Sequence, residues 1–370
     1  MERPGTAEEI AALLAEGRRV RPVGGGTKLD WGALGPAPEI EISTCGLDAL
    51  VEHNEGDLTA VLQAGLPLAR AQETFAKKGQ RLCLDPPDGG GLATVGGVVA
   101  TGDSGPLRHR FGAARDMILG VRVALPDGTV ARAGSKVIKN VAGYDLAKLM
   151  CGALGTLGVV TEVTMRLHPL PEVSVTAVGR GSDRGVLAGA ARGLARRPLE
   201  LEGLDLRWDG PENGGAVLAR AVGRTAQGTA RAAAAVRREA GLPSELLEDE
   251  EAIWAEQRAR QRATNGGAVV RVSALPATLE HVLDAAPSAV ARAGLGLAWV
   301  RIDDDPVALA ELRARLAPAA CVLLDASAEM RATVDPWGVS DGAELSLLRR
   351  VKERFDPAGV CNPGRFVGGL

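Results

Sequence analysis

The chemistry this chain can offer lies in stretches of bare backbone and in a few basic side chains set beside them. Residues 94–105 read TVGGVVATGDSG, four glycines, two threonines and a serine around Val98-Val99-Ala100. Where no Cβ intervenes, neighbouring N–H groups can converge on an anionic oxygen or lie against a planar ring, and hydroxyls add adaptable donors. A tight turn between two strands would use the same residues. Two further clusters in the N-terminal half, Gly24-Gly25-Gly26 and the glycines of residues 152–158, point to an extended ligand gripped by several loops.

The first cluster follows a strand expected over residues 18–23 and runs on through Thr27-Lys28, so its N–H groups are placed to cradle phosphate oxygens. It is not a P-loop, because the GxxxxGK[ST] spacing is absent. The third cluster, Gly152-Ala153-Leu154-Gly155-Thr156-Leu157-Gly158, is not a Rossmann fingerprint either: the β-branched run VVTEVTMRLHP follows where that mechanism needs a helix. Arg108-His109-Arg110 could meet an anionic ligand or form a solvated loop. Tyr144, the single tyrosine, is either a core residue or a cofactor contact on a helix expected over residues 140–151. The five cysteines are far apart and form no CxxC pair, so a metal site is not expected and the thiols read as buried.

Several elements must position these clusters. Thr6 can cap a helix over residues 8–16 that Gly17 stops. Residues 39–43 read as a strand, residues 53–63 alternate, and residues 67–78 resume helical spacing until Gly79, in the manner of βαβ units. Residues 117–124 and 128–133 flank Pro126-Asp127-Gly128, a hairpin signature. Beyond Pro169-Leu170-Pro171, strands are expected over residues 173–178, 199–208, 216–222, 268–272, 297–302 and 321–324. Helical segments over residues 226–239 and 250–262 alternate with them as a small α+β cap. Trp254, Trp299 and Trp337 read as core or interface residues.

A chain of 370 residues exceeds one ordinary core, so two domains are expected. With 46% apolar residues and a net charge of −3, it carries no polyanion-binding signal, and nucleic acid is not an expected partner. No apolar run approaches the roughly 20 residues of a membrane span, and the start, MERPGTAEEIAALLAEG, is acidic and amphipathic rather than a signal peptide. A cytoplasmic location without direct membrane insertion is the expectation, any membrane association coming through partners.

Five segments in order, RPVGGGTK, DPPDGGGLATVGGVVATGDSG, RFGAARDMILGVRVALPDGTV, KNVAGYDLAKLMCGALGTLGVVTEV and RFDPAGVCNPGRF, resemble the FAD-binding domain of the vanillyl-alcohol oxidase (PCMH) type. Within that family the likeness is to the E-subunit group of bacterial glycolate oxidases. The resemblance implies an α+β fold: a two-subdomain FAD-binding domain over residues 1–172, split near 90, a small α+β cap over 173–334, and a return over 335–370. It implies that Gly24, Gly25, Gly26 and Thr27 form a first cradle for the FAD pyrophosphate with Lys28 beside it, and that Thr94, Gly96 and Gly97 form a second. Thr101, Asp103, Ser104 and Gly105 would run along the flavin, and Gly155, Gly158, Val159 and Val160 would meet the adenosine portion. Pro86 and Asn362 join this set from the motifs that contain them, and Arg108 from the basic cluster beside the glycine stretch.

The departures are informative. Relatives that bond the flavin covalently carry a histidine or cysteine near the first cradle; here Val23, the glycines and Thr27 stand there, so noncovalent FAD is expected. Relatives of the D-lactate type carry a glutamate before GTLG, where this chain has Leu154, and a histidine-rich stretch in the second domain, where it has only His281. The resemblance therefore implies an FAD subunit of a 2-hydroxy-acid (glycolate) oxidase complex, partnered by a second flavoprotein subunit and an iron–sulfur subunit. The alternative is a self-sufficient flavin oxidoreductase acting on a small hydroxy acid, which the Arg108-His109-Arg110 cluster keeps open. No catalytic residue is assigned. Arg108, Lys139 and Arg365 are candidates for a cation near the flavin pyrimidine.

Overall fold

A computed structural model describes residues 1–135, 145–263, 266–339 and 342–370; Lys139, Asn140 and Tyr144 lie outside the described residues. The chain divides into two compact units. One comprises residues 1–104, 112–170 and 339–370, the other residues 105–111 and 171–338.

The first unit begins with the helix Ala7–Ala15, whose first turn is capped by Thr6 Oγ1 accepting from the Glu9 N–H at 3.1 Å. Gly17, at φ +73°, takes the chain out of it. Ile10 and Leu14 of this helix are fully buried against Val20, Ile42, Val159 and Val360. Each such side chain contributes roughly 1.5–3 kcal/mol by leaving water. The strands Val20–Val23 and Ile40–Ser43 pair in parallel. Isolated bridges add Glu2 beside Ile42 and Cys361 beside Val20, so the C-terminal segment closes the layer that the N-terminus opens.

A five-stranded antiparallel sheet follows, in the order Leu50–Asn54, Thr59–Gln63, Val159–Arg166, Ile118–Ala124 and Val130–Gly134. The βαβ expectation fails here. Among the described strand pairs only Val20–Val23 with Ile40–Ser43 is parallel, and the alternation over residues 53–63 is a hairpin, because the four residues 55–58 cannot make a crossover. The hairpin expected about Pro126-Asp127-Gly128 is present.

In the second unit, eight antiparallel strands form one sheet in the order Ser244–Leu247, Val173–Gly181, Gly215–Gly223, Leu201–Trp208, Ser288–Arg292, Leu297–Ile302, Ala268–Ser273 and Ala320–Asp325. Helices Arg184–Ala195, Ala226–Ala240, Leu279–Ala285 and Pro306–Leu316 place Leu187, Val236, Leu283 and Leu312 in its main core. The helix Glu251–Ala259 brings Trp254 against Val178 and Leu218, with Gly203 leaving room for the indole. The turn Arg108–Phe111 packs on the strand Leu201–Trp208, so the 105–111 excursion belongs to this unit although its sequence neighbours belong to the other.

Candidate cofactor-binding site

In the first unit, the three glycine clusters converge on one cleft enclosing about 970 Å³ of non-atom space, open solvent included. Of the residues singled out in the sequence, Gly24, Gly25, Gly26, Thr27, Lys28, Thr94, Gly96, Gly97, Thr101, Gly155, Gly158, Val159, Val160 and Asn362 line it. Pro86 is buried away from the lining, as are Asp103 and Ser104. Gly105 and Arg108 sit in the second unit and do not line this cleft.

The glycines are required by how closely the cleft walls approach each other. A Cβ on Gly25 would stand 1.6 Å from the Leu92 carbonyl oxygen, and one on Gly24 would stand 2.4 Å from Thr94 Oγ1. On Gly96 it would meet Ala64 Cβ at 2.5 Å and Ala64 O at 2.8 Å. On Gly97 it would meet only Thr94 Oγ1, at 3.0 Å. The first cluster is thus pressed against the 92–94 segment and Gly96 against Ala64, while Gly97 is less crowded and its missing side chain leaves cleft space clear.

The stretch read as a glycine loop is a short helix, Val95–Thr101, capped by Thr94 Oγ1 accepting from the Gly97 N–H at 3.2 Å and ended by Gly102 at φ +63°. Glycine and β-branched residues disguise it by their low helix propensity. Its first N–H groups are already engaged: Val95 donates to Leu66 O at 2.9 Å, Gly96 to Ala64 O at 2.8 Å and Gly97 to Thr94. This second wall therefore offers close approach rather than hydrogen-bond donors. The N–H groups of Gly25 and Gly26 differ, since they find no acceptor among the described residues and line the cleft. They are the donors a pyrophosphate needs.

The charges at the wall are largely engaged. Lys28 is buried; its Nζ lies 3.2 Å from Asp103 Oδ2, donates to Pro87 O at 2.8 Å and sits 5.8 Å from the centre of the Trp31 ring. It fastens the first glycine cluster to the segment after the short helix and leaves no free cation there. Arg21 pairs with Glu41. Arg365 donates to Ala33 O at 3.1 Å and to Leu29 O. Among the described lining residues there is no carboxylate, imidazole or thiol. Of the three candidate cations for the flavin pyrimidine, Arg365 lines the cleft and Arg108 lies in the second unit, while Lys139 is outside the described residues.

The closing motif FDPAGVCNPG acts through Asp356, which the sequence did not single out. Its carboxylate accepts from the Val360 N–H at 2.9 Å and the Cys361 N–H at 2.7 Å, and from Lys352 Nζ at 2.5 Å. Lys352 also donates to Thr156 O at 2.7 Å, tying this turn to the 152–158 segment. Burial, with Asp356 adding to it, pushes the Cys361 thiol up to about 12, and burial does the same to Cys151. Both are inert thiols at neutral pH.

Bare glycine walls, the N–H groups of Gly25 and Gly26, and the absence of a histidine or cysteine among the described lining residues fit a dinucleotide cofactor held without a covalent bond. The comparisons with known proteins agree. A family model described as an FAD binding domain matches residues 2–134. The glycolate oxidase subunit GlcE of Escherichia coli is 31% identical over 87% of this chain and 85% of its own length. This chain therefore belongs to the PCMH-type FAD-binding oxidoreductase family, and FAD is its cofactor. The mitochondrial D-lactate dehydrogenase [cytochrome] of Arabidopsis thaliana is 34% identical over 47% of the chain, which spans only 31% of that relative. Alkyldihydroxyacetonephosphate synthase shares the fold at a TM-score of 0.72 and 17% identity, over 98% of this chain and 75% of that one. Among the described residues, no helix is long and apolar enough to cross a membrane.

Proposed function

We propose that this chain is the FAD-binding subunit of a complex that oxidises 2-hydroxy acids, with glycolate to glyoxylate as its reaction, and that a second flavoprotein subunit and an iron–sulfur subunit complete it. The observation that carries this reading is the cleft lining, where the described residues provide a cofactor cradle but no base. Oxidising a 2-hydroxy acid takes a hydride from the carbon and a proton from its hydroxyl, so a base must reach the hydroxyl and a cation the carboxylate. When bound, FAD supplies the two-electron acceptor. The chain's own residues hold it: Gly25 and Gly26 donate to it, Gly97 admits it, and the Lys28–Asp103 pair keeps the loops closed around it.

The match to GlcE along most of the chain supports the subunit role, and the name of the D-lactate dehydrogenase relative supports 2-hydroxy acids as the substrate class. Because its cysteines lack cluster spacing, any iron–sulfur centre that takes electrons from this chain would sit on another chain. The complex works in the cytoplasm and meets a membrane only through its partners. Co-expression with candidate flavoprotein and iron–sulfur subunits tests the proposal. Glycolate turnover should appear with the complex and be absent from the isolated, FAD-loaded chain, whereas full turnover by the isolated chain would sink it and favour the self-sufficient oxidoreductase.

A further inference from the structure

Four residues of the 152–158 segment take positive φ: Gly152 at +79°, Leu154 at +52°, Gly155 at +71° and Gly158 at +154°. Glycine adopts these values freely, but Leu154 does so against the steric preference of its Cβ. Such an outlier persists only where its surroundings hold it, and these do so from both sides. The Leu154 N–H donates to Ala100 O at 2.8 Å, and its carbonyl accepts from Asn362 Nδ2 at 2.7 Å, a bond that spans most of the sequence. Asn362 is at φ +41°, which its residue type tolerates, and its own N–H donates to Val20 O at 2.8 Å. It is thus anchored to the strand Val20–Val23 while its side-chain N–H grips Leu154.

We propose that Asn362 is a positioning residue that locks the 152–158 segment, through Leu154, into the shape in which it walls the FAD cleft. This rests on the cleft being the FAD site. Leu154, Gly155, Gly158 and Asn362 all line the cleft, and Gly155 lies so close to Pro22 that a Cβ there would stand 2.7 Å from its ring. Losing the Asn362 bond frees Leu154 to relax out of positive φ, which carries the adjoining Gly155 off Pro22 and distorts the wall. One Nδ2–H bonds Leu154 O, and through that bond Asn362 acts on the backbone it holds.

The test separates backbone shape from side-chain contact. Asn362→Gly keeps the positive φ available and removes the donor; FAD affinity, read by quenching of flavin fluorescence as the apoprotein is titrated, should fall about tenfold, or ~1.4 kcal/mol. Adding Leu154→Gly, which makes positive φ free of strain, should restore affinity to within about threefold of the parent. Adding Leu154→Ala instead, which removes the same side chain but keeps the backbone restriction, should restore nothing. Parent-like affinity in Asn362→Gly, or equal behaviour of the two double variants, overturns the proposal. Should Asn362→Gly fail to fold, Asn362→Asp, which keeps the shape and cannot donate, takes its place. Failure of the parent chain to bind FAD would instead strike the reading of the cleft.

Discussion

The two units bury polarity differently, although the first also holds the buried Lys28–Asp103 pair. In the first unit, the cleft wall is largely backbone: glycines pressed against neighbouring atoms, the N–H groups of Gly25 and Gly26, and a leucine held at positive φ. In the second, buried polarity is side chain: Asp205 and Arg292 are both enclosed, with Arg292 Nε 3.9 Å from Asp205 Oδ1 and its guanidinium 4.2 Å from the centre of the Trp299 ring. Burial pushes the Asp205 carboxyl above the usual range, opposed by Arg292 and by the bond from Gln257. The backbone wall needs a ligand to take its donors, whereas the charges buried in the second unit face counterparts within the protein. The first arrangement suits binding and the second suits holding a sheet together.

The sharpest way to break this contrast is at the glycines. Gly25→Val should abolish FAD binding and also lower the melting temperature of the apoprotein, because its Cβ meets the Leu92 carbonyl. Gly97→Val should also lose FAD, yet leave apoprotein melting nearly unchanged, since only Thr94 Oγ1 crowds that site. Flavin retained by Gly97→Val would show that the wall does not face the cofactor. Next in size, Arg292→Met in the second unit leaves a buried carboxylate without its partner and should cost about 3–5 kcal/mol in denaturant unfolding, with flavin content per folded chain unaltered. A loss of FAD comparable to that of Gly97→Val would join what the comparison keeps apart.

Lys28 gives a finer test, because the sequence placed it at the pyrophosphate while the structure pairs it with Asp103. Lys28→Met alone should destabilise the first unit and weaken FAD binding. Adding Asp103→Leu should bring both back toward the parent, as replacing a whole buried pair costs little. If the double variant recovers stability but not FAD affinity, Lys28 is a phosphate ligand after all. The smallest effect expected is at His109, whose imidazole burial, followed by the Arg110 charge, holds below its usual value. A depressed folded value means stability that is present above about pH 6.5 and lost as pH falls through the folded value. His109→Gln should therefore flatten the fall in melting temperature on acidification, and an unchanged pH profile would remove His109 from the account.

Much of the cleft was legible because its cause is local. Gly24-Gly25-Gly26, Gly96-Gly97, Gly155 and Gly158 announce close approach by residue type alone, and the motif order brought them together. The helix Val95–Thr101 was hidden because its glycines and valines are poor helix formers, and the Thr94 cap becomes visible only once the backbone has turned. Strand Ser288–Arg292, alanine-rich and short, lacked the β-branched signal, and the helix Arg184–Ala195 carries glycines that blur its period. The placement of Gly105 and Arg108 in the second unit could not be read from their neighbours, since a seven-residue excursion is decided by the packing of Arg108–Phe111 on a distant strand. Asp356 was missed for the same reason: a carboxylate capping its own turn looks like a surface residue until the turn is seen.

We infer that the backbone walls of the first unit hold FAD without a covalent bond. Acid precipitation of the purified chain, with the flavin identified by chromatography and counted against protein, tests this most directly. One FAD per chain released into the supernatant is the expected result, whereas flavin that stays with the precipitate, or a chain that binds none when titrated with FAD, would contradict the account.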